Sequence, residues 1–393
     1  MKHFVPFFRT LLILSLWNGV ECFSASKING ATTTITSSPV AATTTEAVSK
    51  LKQVLFKEYV SFFDPMEREY YADDVTFEDP MTSLSGVDSY QNNVDMLASR
   101  TLLGRFLFRD AGIVLHSING GVVSEDGSIS NIMTRWTLKV TVSVLPWKPT
   151  ARFTGVSIYE VSPGGPKGVL VNHQTDYWDS INIQDGGNYA KVDKGIAISD
   201  FLNQLKSDNG NAAAAGPEVP YSLLRRGDGY EVRRYPSYSF AKIPYTRRDE
   251  GYDLLATITK GMDPLAPAIM EVFSDDSKKT MSWPLAFAAP GETSPPPVKD
   301  EVLAKVKEPM WSDCEIETIP SKVVAVGSFS DASVAPIVRK ADGKLREALK
   351  KDGIDIPSDS STSVKFAQYD AIFSLGKRRG EVWIELEDGG HPW

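Results

Sequence analysis

Residues 230–243 read YEVRRYPSYSFAKI. Tyr230, Val232 and Arg234 alternate with Glu231, Arg233 and Tyr235, the two-residue period of a half-buried strand. Pro236, which cannot donate to a strand ladder, ends it, and a second strand follows from Tyr238 to Ile243. Asp253 is then placed to cap a helix through LLATITKGM, its carboxylate accepting from the free N–H groups of the first turn. The order returns further on. KVVAVGSF (322–329) is a strand, and Val338, Leu345 and Leu349 mark a helix that ends at Gly353, a good left-handed terminator. EVWIELE (381–387) closes the segment with Val382, Ile384 and Leu386 on one face. Two strands and a helix near the start, and strand, helix and strand again after Lys322, make the region a pseudo-repeat.

Upstream, Ser207 to Pro220 (SDNGNAAAAGPEVP) has no hydrophobic period and reads as a linker, preceded by a short helix over Ile196 to Leu205. The segment before it opens with a helix in which Val48, Leu51, Leu55, Tyr59 and Phe62 share a face, stopped by Asp64-Pro65. A second helix spans Val87 to Leu97, and alternating strands follow in TRWTLKVTV, ARFTGVSIYEV and VNHQTDYWD. Helices followed by an antiparallel meander make an α+β domain. The expected organisation is a signal peptide at 1–22, a transit-peptide-like segment at 23–45, one domain at 46–190, a helix and linker at 191–217, and a second domain at 218–393.

Composition agrees with two domains: 393 residues, 42% hydrophobic and 23% charged. A net charge of −8 argues against nucleic-acid partners, and four histidines with two cysteines argue against a zinc site or a disulfide framework. Cys314 lies between acids in WSDCEIE, which raises a thiol pKa, so it reads as inert. Phosphate-loop and HExxH patterns are absent from the sequence. Lys2, His3 and Arg9 precede an apolar run from Leu11 to Val20 that is too short to span a bilayer, the build of a cleaved signal. Phe23 to Thr45 is rich in Ser and Thr and free of acids, and with the preceding signal it resembles the two-part plastid presequences of algae. The alternative is a secreted protein with a flexible N-terminal stretch.

Five segments, YYADDVTFEDP, GVDSYQNNVDML, TRWTLKV, LPWKPTARFTGVSIYEV and NHQTDYWD, resemble a plant and algal domain of unknown function. It belongs to the cone-shaped superfamily that includes nuclear transport factor two and SnoaL-type cyclases. The resemblance implies a highly curved sheet wrapped on helices around an apolar cavity. In the second segment, YEVRRYP, KKTMSWPLA, KVVAVGSFSD, LREALKKDG, AQYDAIFSL and KRRGEVWIELE resemble the SOUL haem-binding proteins. That resemblance implies two β-α-β-β halves forming a distorted β-barrel flanked by two helices, and haem or another tetrapyrrole as ligand. The sequence departs from the family in Trp283 beside Pro284, in a short Pro-rich stretch from Ala288 to Lys307, and in lacking a double proline after Gln368-Tyr369.

A tetrapyrrole needs an apolar trough, cations for its propionates, and in some proteins an axial donor. The trough candidates are Leu254, Leu255, Ile258 and Met262, with Tyr369 and Phe373 opposite. Met262, Met281 and Tyr369 are the candidate donors, and Arg248, Arg346 and Lys350 the candidate propionate clamps. The second segment has no well-placed histidine, so a weak ligand or none is expected. The plainer reading makes the methionines core filler and the cations a solvated face. In the first domain, Asp79, His173 and Asp176 are candidate acid/base residues, with Tyr71 and Tyr159 shaping a pocket. His173 and Asp176 fall on opposite faces of their strand, so they do not form a dyad by themselves. Three functions follow: a plastid haem or tetrapyrrole carrier, a cone-domain lyase, isomerase or hydrolase acting on a small apolar molecule, and a scaffold for protein contacts. A protein of tetrapyrrole metabolism and a peripheral membrane or lipid-body surface are the partners these readings suggest.

Overall fold

The computed structural model describes residues 39–206, 217–260, 265–273, 278–329, 335–358, 362–369, 379–388 and 393. The chain divides into two compact units, one of residues 1–184, 188–207 and 392–393, the other of 185–187 and 208–391. The expected signal peptide and most of the transit-like segment lie outside the described residues.

In the first unit, helix α1 (Pro39–Ser61) precedes β1 (Tyr71–Glu78), β2 (Ser83–Ser85), α2 (Val87–Leu97), α3 (Leu102–Leu107) and β3 (Phe108–Gly120). Then come β4 (Ile132–Val142), β5 (Thr150–Pro163), β6 (Val169–Trp178), α4 (Asp179–Asn182), the short pair β7 (Ile183–Gln184) and β8 (Asn188–Tyr189), and α5 (Lys194–Gln204). Six strands form one sheet in the order β2-β1-β6-β5-β4-β3. β3 to β6 are the expected antiparallel meander, and β1 adds to β6 in parallel. Helix α2 touches β1 and β2 at one edge of the sheet and also β3 at the other. The sheet is therefore curved around it, as the cone resemblance implies. Helix α1 buries Val48, Leu51, Leu55 and Tyr59, the stripe read from its period, and each such side chain contributes about 1.5–3 kcal/mol. The helix starts at Pro39, so it includes the last residues of the segment expected to be transit-like. Helix α5 packs on β5 through Phe201 and Phe153, whose rings stack 6.0 Å apart, so it belongs to this unit.

The second unit contains β9 (Ser222–Gly227), β10 (Tyr230–Tyr235), β11 (Tyr238–Pro244), α6 (Arg248–Ile258), β12 (Ala268–Phe273), β13 (Lys279–Phe287) and α7 (Asp300–Val306). These are followed by β14 (Glu315–Ile319), β15 (Lys322–Phe329), α8 (Ala335–Lys351), β16 (Ser363–Gln368) and β17 (Gly380–Leu386). The sheet order is β14-β11-β13-β12-β16-β17-β15-β10-β9. β10-β11-α6-β12-β13 and β14-β15-α8-β16-β17 occupy mirror places in that order, with the β12–β16 pair at the centre. Each half gives its first strand to the other: β10 pairs with β15, and β14 with β11. The pseudo-repeat is thus a two-fold with exchanged strands.

That order forces the sheet to roll. β10 and β11 stand six strand spacings apart, about 29 Å in a flat sheet. Only Pro236 and Ser237 join Tyr235 to Tyr238, a reach of about 10 Å. β14 and β15 are equally separated in the order and are joined by Pro320 and Ser321. The two crossings hold each other: Ser237 Oγ donates to the Ile319 carbonyl at 2.7 Å, and Ser321 Oγ donates to the Tyr235 carbonyl at 2.9 Å. Among the described residues β9 and β14 do not pair, so the expected distorted barrel takes the form of an open roll. One correction concerns α6, which starts at Arg248. Asp253 lies inside it and does not cap it, while Asp249 and Glu250 place negative charge in its first turn.

Both units bury charge. In the roll, Arg233 is 3.0 Å from Glu381, which also accepts from the Tyr369 hydroxyl at 2.7 Å and the Trp383 indole at 3.1 Å. In the cone, Arg135 pairs with Asp179 at 2.7 Å, both almost fully buried. Pairs of this kind cost several kcal/mol to break from one side, because the remaining charge is stranded. Glu58 on α1 is different, having no cation beside it. It is 1% exposed and accepts from the Tyr71 hydroxyl at 2.6 Å and the Glu67 amide at 2.7 Å. Burial pushes its carboxyl up to about 7. The folded chain then holds a proton that the unfolded chain releases above about pH 4.5, so Glu58 costs stability as pH rises from about 4.5 through 7. Between pH 5 and 8 the stability of the wild-type first unit is expected to fall by roughly 2–3 kcal/mol more than that of Glu58→Gln. Chemical unfolding at the two pH values measures this, and equal pH dependence in both proteins refutes it.

Candidate functional site

The sequence-predicted tetrapyrrole residues separate into groups. Leu255 and Ile258 are fully buried on the side of α6 that faces the sheet, and Met281 is fully buried beneath them. A Cβ on Gly251 would come within 3.1 Å of the Met281 methyl, so this glycine is what lets the helix sit so close. Leu255 and Ile258, expected in the trough, and Met281, a candidate donor, are packed in the core and offer no surface to a ligand here. Met262 and Phe373 lie outside the described residues. Tyr369 also leaves the expected position. It belongs to the cluster of Tyr235, Tyr238, Phe240 and Trp383, its hydroxyl is spent on Glu381, and the Arg379 guanidinium lies 3.7 Å over its ring. Alternation along β16 and the residue after it turns Tyr369 to the same face as Ala367, inside the roll.

Arg248 donates to Gln368 Oε1 at 3.2 Å and stays partly exposed. Tyr252, four residues on, lies on the same flank of α6, and its ring meets Trp283 edge-on at 5.6 Å. Both rings are half-buried. On the other flank Leu254 is 40% exposed, beside the exposed Arg247. A cation next to an accessible aromatic step fits a flat apolar ligand bearing carboxylates. Among the described residues of the second unit there is no histidine. Arg346 and Lys350 are on α8 in the other half of the repeat, Arg346 paired with Asp342 at 2.8 Å and Lys350 exposed. Nothing brings them to the α6 flank. Sequence reasoning missed Tyr252, although its spacing from Arg248 was readable, and treated Trp283 only as a departure.

Cys314 is buried, and its thiol is pushed up to about 11 by burial and by Glu315. Among the described residues no group of His, Cys, Asp and Glu could hold a metal ion, and no helix is long and apolar enough to cross a membrane.

In the cone, Asp79 Oδ1 accepts from the amides of Met81 and Thr82, which makes it the anchor of a turn. Burial still lifts its carboxyl to about 6. His173 Nδ1 is 2.6 Å from Thr76 Oγ1 and Nε2 is 2.8 Å from Thr175 Oγ1, so the imidazole is engaged on both nitrogens. Asp176 points the other way along β6, as the alternation requires. It accepts from Gln174 Nε2 at 2.8 Å, and Gln174 accepts from the Tyr90 hydroxyl at 2.6 Å. Gln174 also reaches Ser157 Oγ, which takes the Trp136 indole N–H at 2.8 Å and lies 3.0 Å from the Tyr59 hydroxyl. Tyr159 is 3.0 Å from Tyr59, and Tyr71 is tied to Glu58, so both expected pocket tyrosines are held in buried polar contacts. Asp176 is the one carboxyl of the network that keeps partial exposure, and burial raises it to about 7. Such a group can exchange a proton near neutral pH.

The chain resembles several solved structures at low identity. An NTF2-like superfamily protein from Salmonella enterica is 12% identical, with 35% of this chain and 92% of that one aligned at a TM-score of 0.28. Nuclear transport factor 2 from Cryptosporidium parvum is 11% identical, with 37% and 99% aligned at 0.23. A type 2 hexachlorocyclohexane dehydrochlorinase is 8% identical, with 36% and 88% aligned at 0.28. No curated protein matches the sequence. Two family models do. Residues 49–173 match the uncharacterized conserved protein family DUF2358, and residues 216–385 match the SOUL heme-binding proteins, so the chain joins a DUF2358 domain to a SOUL domain.

Proposed function

We propose that the protein binds haem or a related tetrapyrrole on the α6 flank of its SOUL domain and carries or buffers it within a plastid. The observation that carries this reading is the match of residues 216–385 to the SOUL heme-binding family. Arg248 supplies a cation for a propionate, and Tyr252 with Trp283 supplies a flat surface for the macrocycle. A ligand held by its face and its charge suits reversible loading, since release breaks no strong bond to iron. Titration of the full chain with haem is expected to shift the Soret band, and Arg248→Glu or Trp283→Ala to weaken binding about tenfold, the loss of one charge-assisted or stacked contact. No spectral change at tens of micromolar protein refutes the reading. The plastid address rests on the composition of residues 1–45. A reporter fused to that segment is expected inside the organelle of an algal host, and its appearance in the culture medium means secretion instead.

The buried polar network of the cone favours a second reading, an acid/base enzyme for a small apolar molecule. Asp176, at about 7 and partly exposed at the end of the Tyr90–Gln174 chain, is its proton carrier. When the full chain is incubated with a metabolite extract, mass spectrometry is expected to find a compound depleted. Asp176→Asn should slow that depletion by about 10²–10⁴ with the near-UV spectrum unchanged. Equal depletion by both proteins removes Asp176 from the chemistry.

A further inference from the structure

The inside of the roll holds a cavity of about 310 Å³ that is separate from the α6 flank, since its lining comes from the opposite face of the sheet. Its volume is at the small end of the range for small-molecule pockets. One wall is aromatic and aliphatic, with Tyr238, Phe240, Ile269 and Trp383. The rest is charged in balance, with Lys242, Lys322 and Lys365 set against Glu271, Glu317 and Glu385.

These charges are not all spent on one another. Glu385 is closely held by Lys322 at 2.7 Å and Lys365 at 2.9 Å, and the two ammonium groups keep its carboxyl down at about 2. Lys242 is in another situation. It stands 3.6 Å from Glu317 and 3.8 Å from Glu315, ion-pair distances too long for an N–H···O hydrogen bond. The Lys242 and Glu317 side chains are 31% and 42% exposed, so a solute can reach both. A donor and an acceptor of opposite charge thus stand side by side at the edge of an apolar wall, each with hydrogen-bonding capacity left.

We propose that this cavity binds an α-amino acid with an aromatic or branched apolar side chain. Its carboxylate meets Lys242, its ammonium group meets Glu317, and its side chain lies against Phe240 and Trp383. The adjoining opposite charges of an amino-acid head match a Lys–Glu pair only 3.6 Å apart, and the even balance of lining charges suits a ligand with no net charge. A simple anion would leave Glu317 facing its carboxylate, and a simple cation would meet Lys242, so each is disfavoured by a like charge.

The test is calorimetric titration of the full chain with L-tryptophan, with indole-3-propionate, which lacks the ammonium group, and with tryptamine, which lacks the carboxylate. L-Tryptophan is expected to bind at least tenfold more tightly than either analogue. Lys242→Gln should weaken L-tryptophan about tenfold and strengthen tryptamine, from which it removes the like charge, while Lys242→Arg restores most of the affinity for L-tryptophan. Haem titration of Lys242→Gln reads the α6 flank separately and should match wild type, which also shows that the domain is folded. No heat with millimolar L-tryptophan overturns the proposal, as does equal affinity for the three compounds or an unchanged affinity in Lys242→Gln.

Discussion

Two short crossings govern the second domain. Tyr235-Pro236-Ser237-Tyr238 and Ile319-Pro320-Ser321-Lys322 each carry the chain between strands that the sheet order holds far apart, and the serine of each donates to the carbonyl before the proline of the other. Proline suits this place because it gives up a ladder hydrogen bond exactly where pairing must stop. Once the crossings are tied, the sheet has to curl, and its faces become unlike. The outer face takes α6 and α8. The inner face collects the aromatic cluster around Tyr235 and Trp383, the buried Arg233–Glu381 pair and the lysine–glutamate cavity.

The two domains handle buried polarity in different ways. The SOUL domain neutralises it with opposite charges, and its glutamates are either saturated, as Glu381 and Glu385 are, or left facing the cavity. The cone domain has such a pair, Arg135–Asp179, but also a network of neutral hydrogen bonds among Tyr59, Ser157, Gln174 and Tyr90, and its lone carboxyls Glu58 and Asp176 respond by holding their protons toward neutral pH. A network without a counter-ion is the arrangement in which a carboxyl changes state under ordinary conditions.

Local order was legible in the sequence because it follows from periods and breakers. Val87–Leu97 and Lys322–Phe329 have the bounds that their patterns imply, and the stripe on α1 faces the core. What the pattern could not show was which side of the sheet a buried residue faces in three dimensions. Leu255 and Ile258 have the composition of a ligand trough but pack beneath α6, because an apolar stripe looks the same whether it meets a ligand or a sheet. Tyr252 and Trp283 come together across elements, and no local spacing records that. The cavity charges are likewise scattered over six strands from Lys242 to Glu385, each reading alone as an ordinary exposed residue of an alternating strand.

The exchange of first strands has a consequence for synthesis. Tyr230 at the start of β10 pairs with Gly327, and Tyr238 at the start of β11 pairs with Ile319. Neither half owns a complete sheet, so the first half leaves the ribosome with three edges, on β10, β11 and β12, that only the second can cover. The domain therefore assembles late and all together, with long-range pairing ahead of local completion, which is the slow regime of folding. Until β14 and β15 arrive, β10 and β11 are exposed edges open to pairing with another chain.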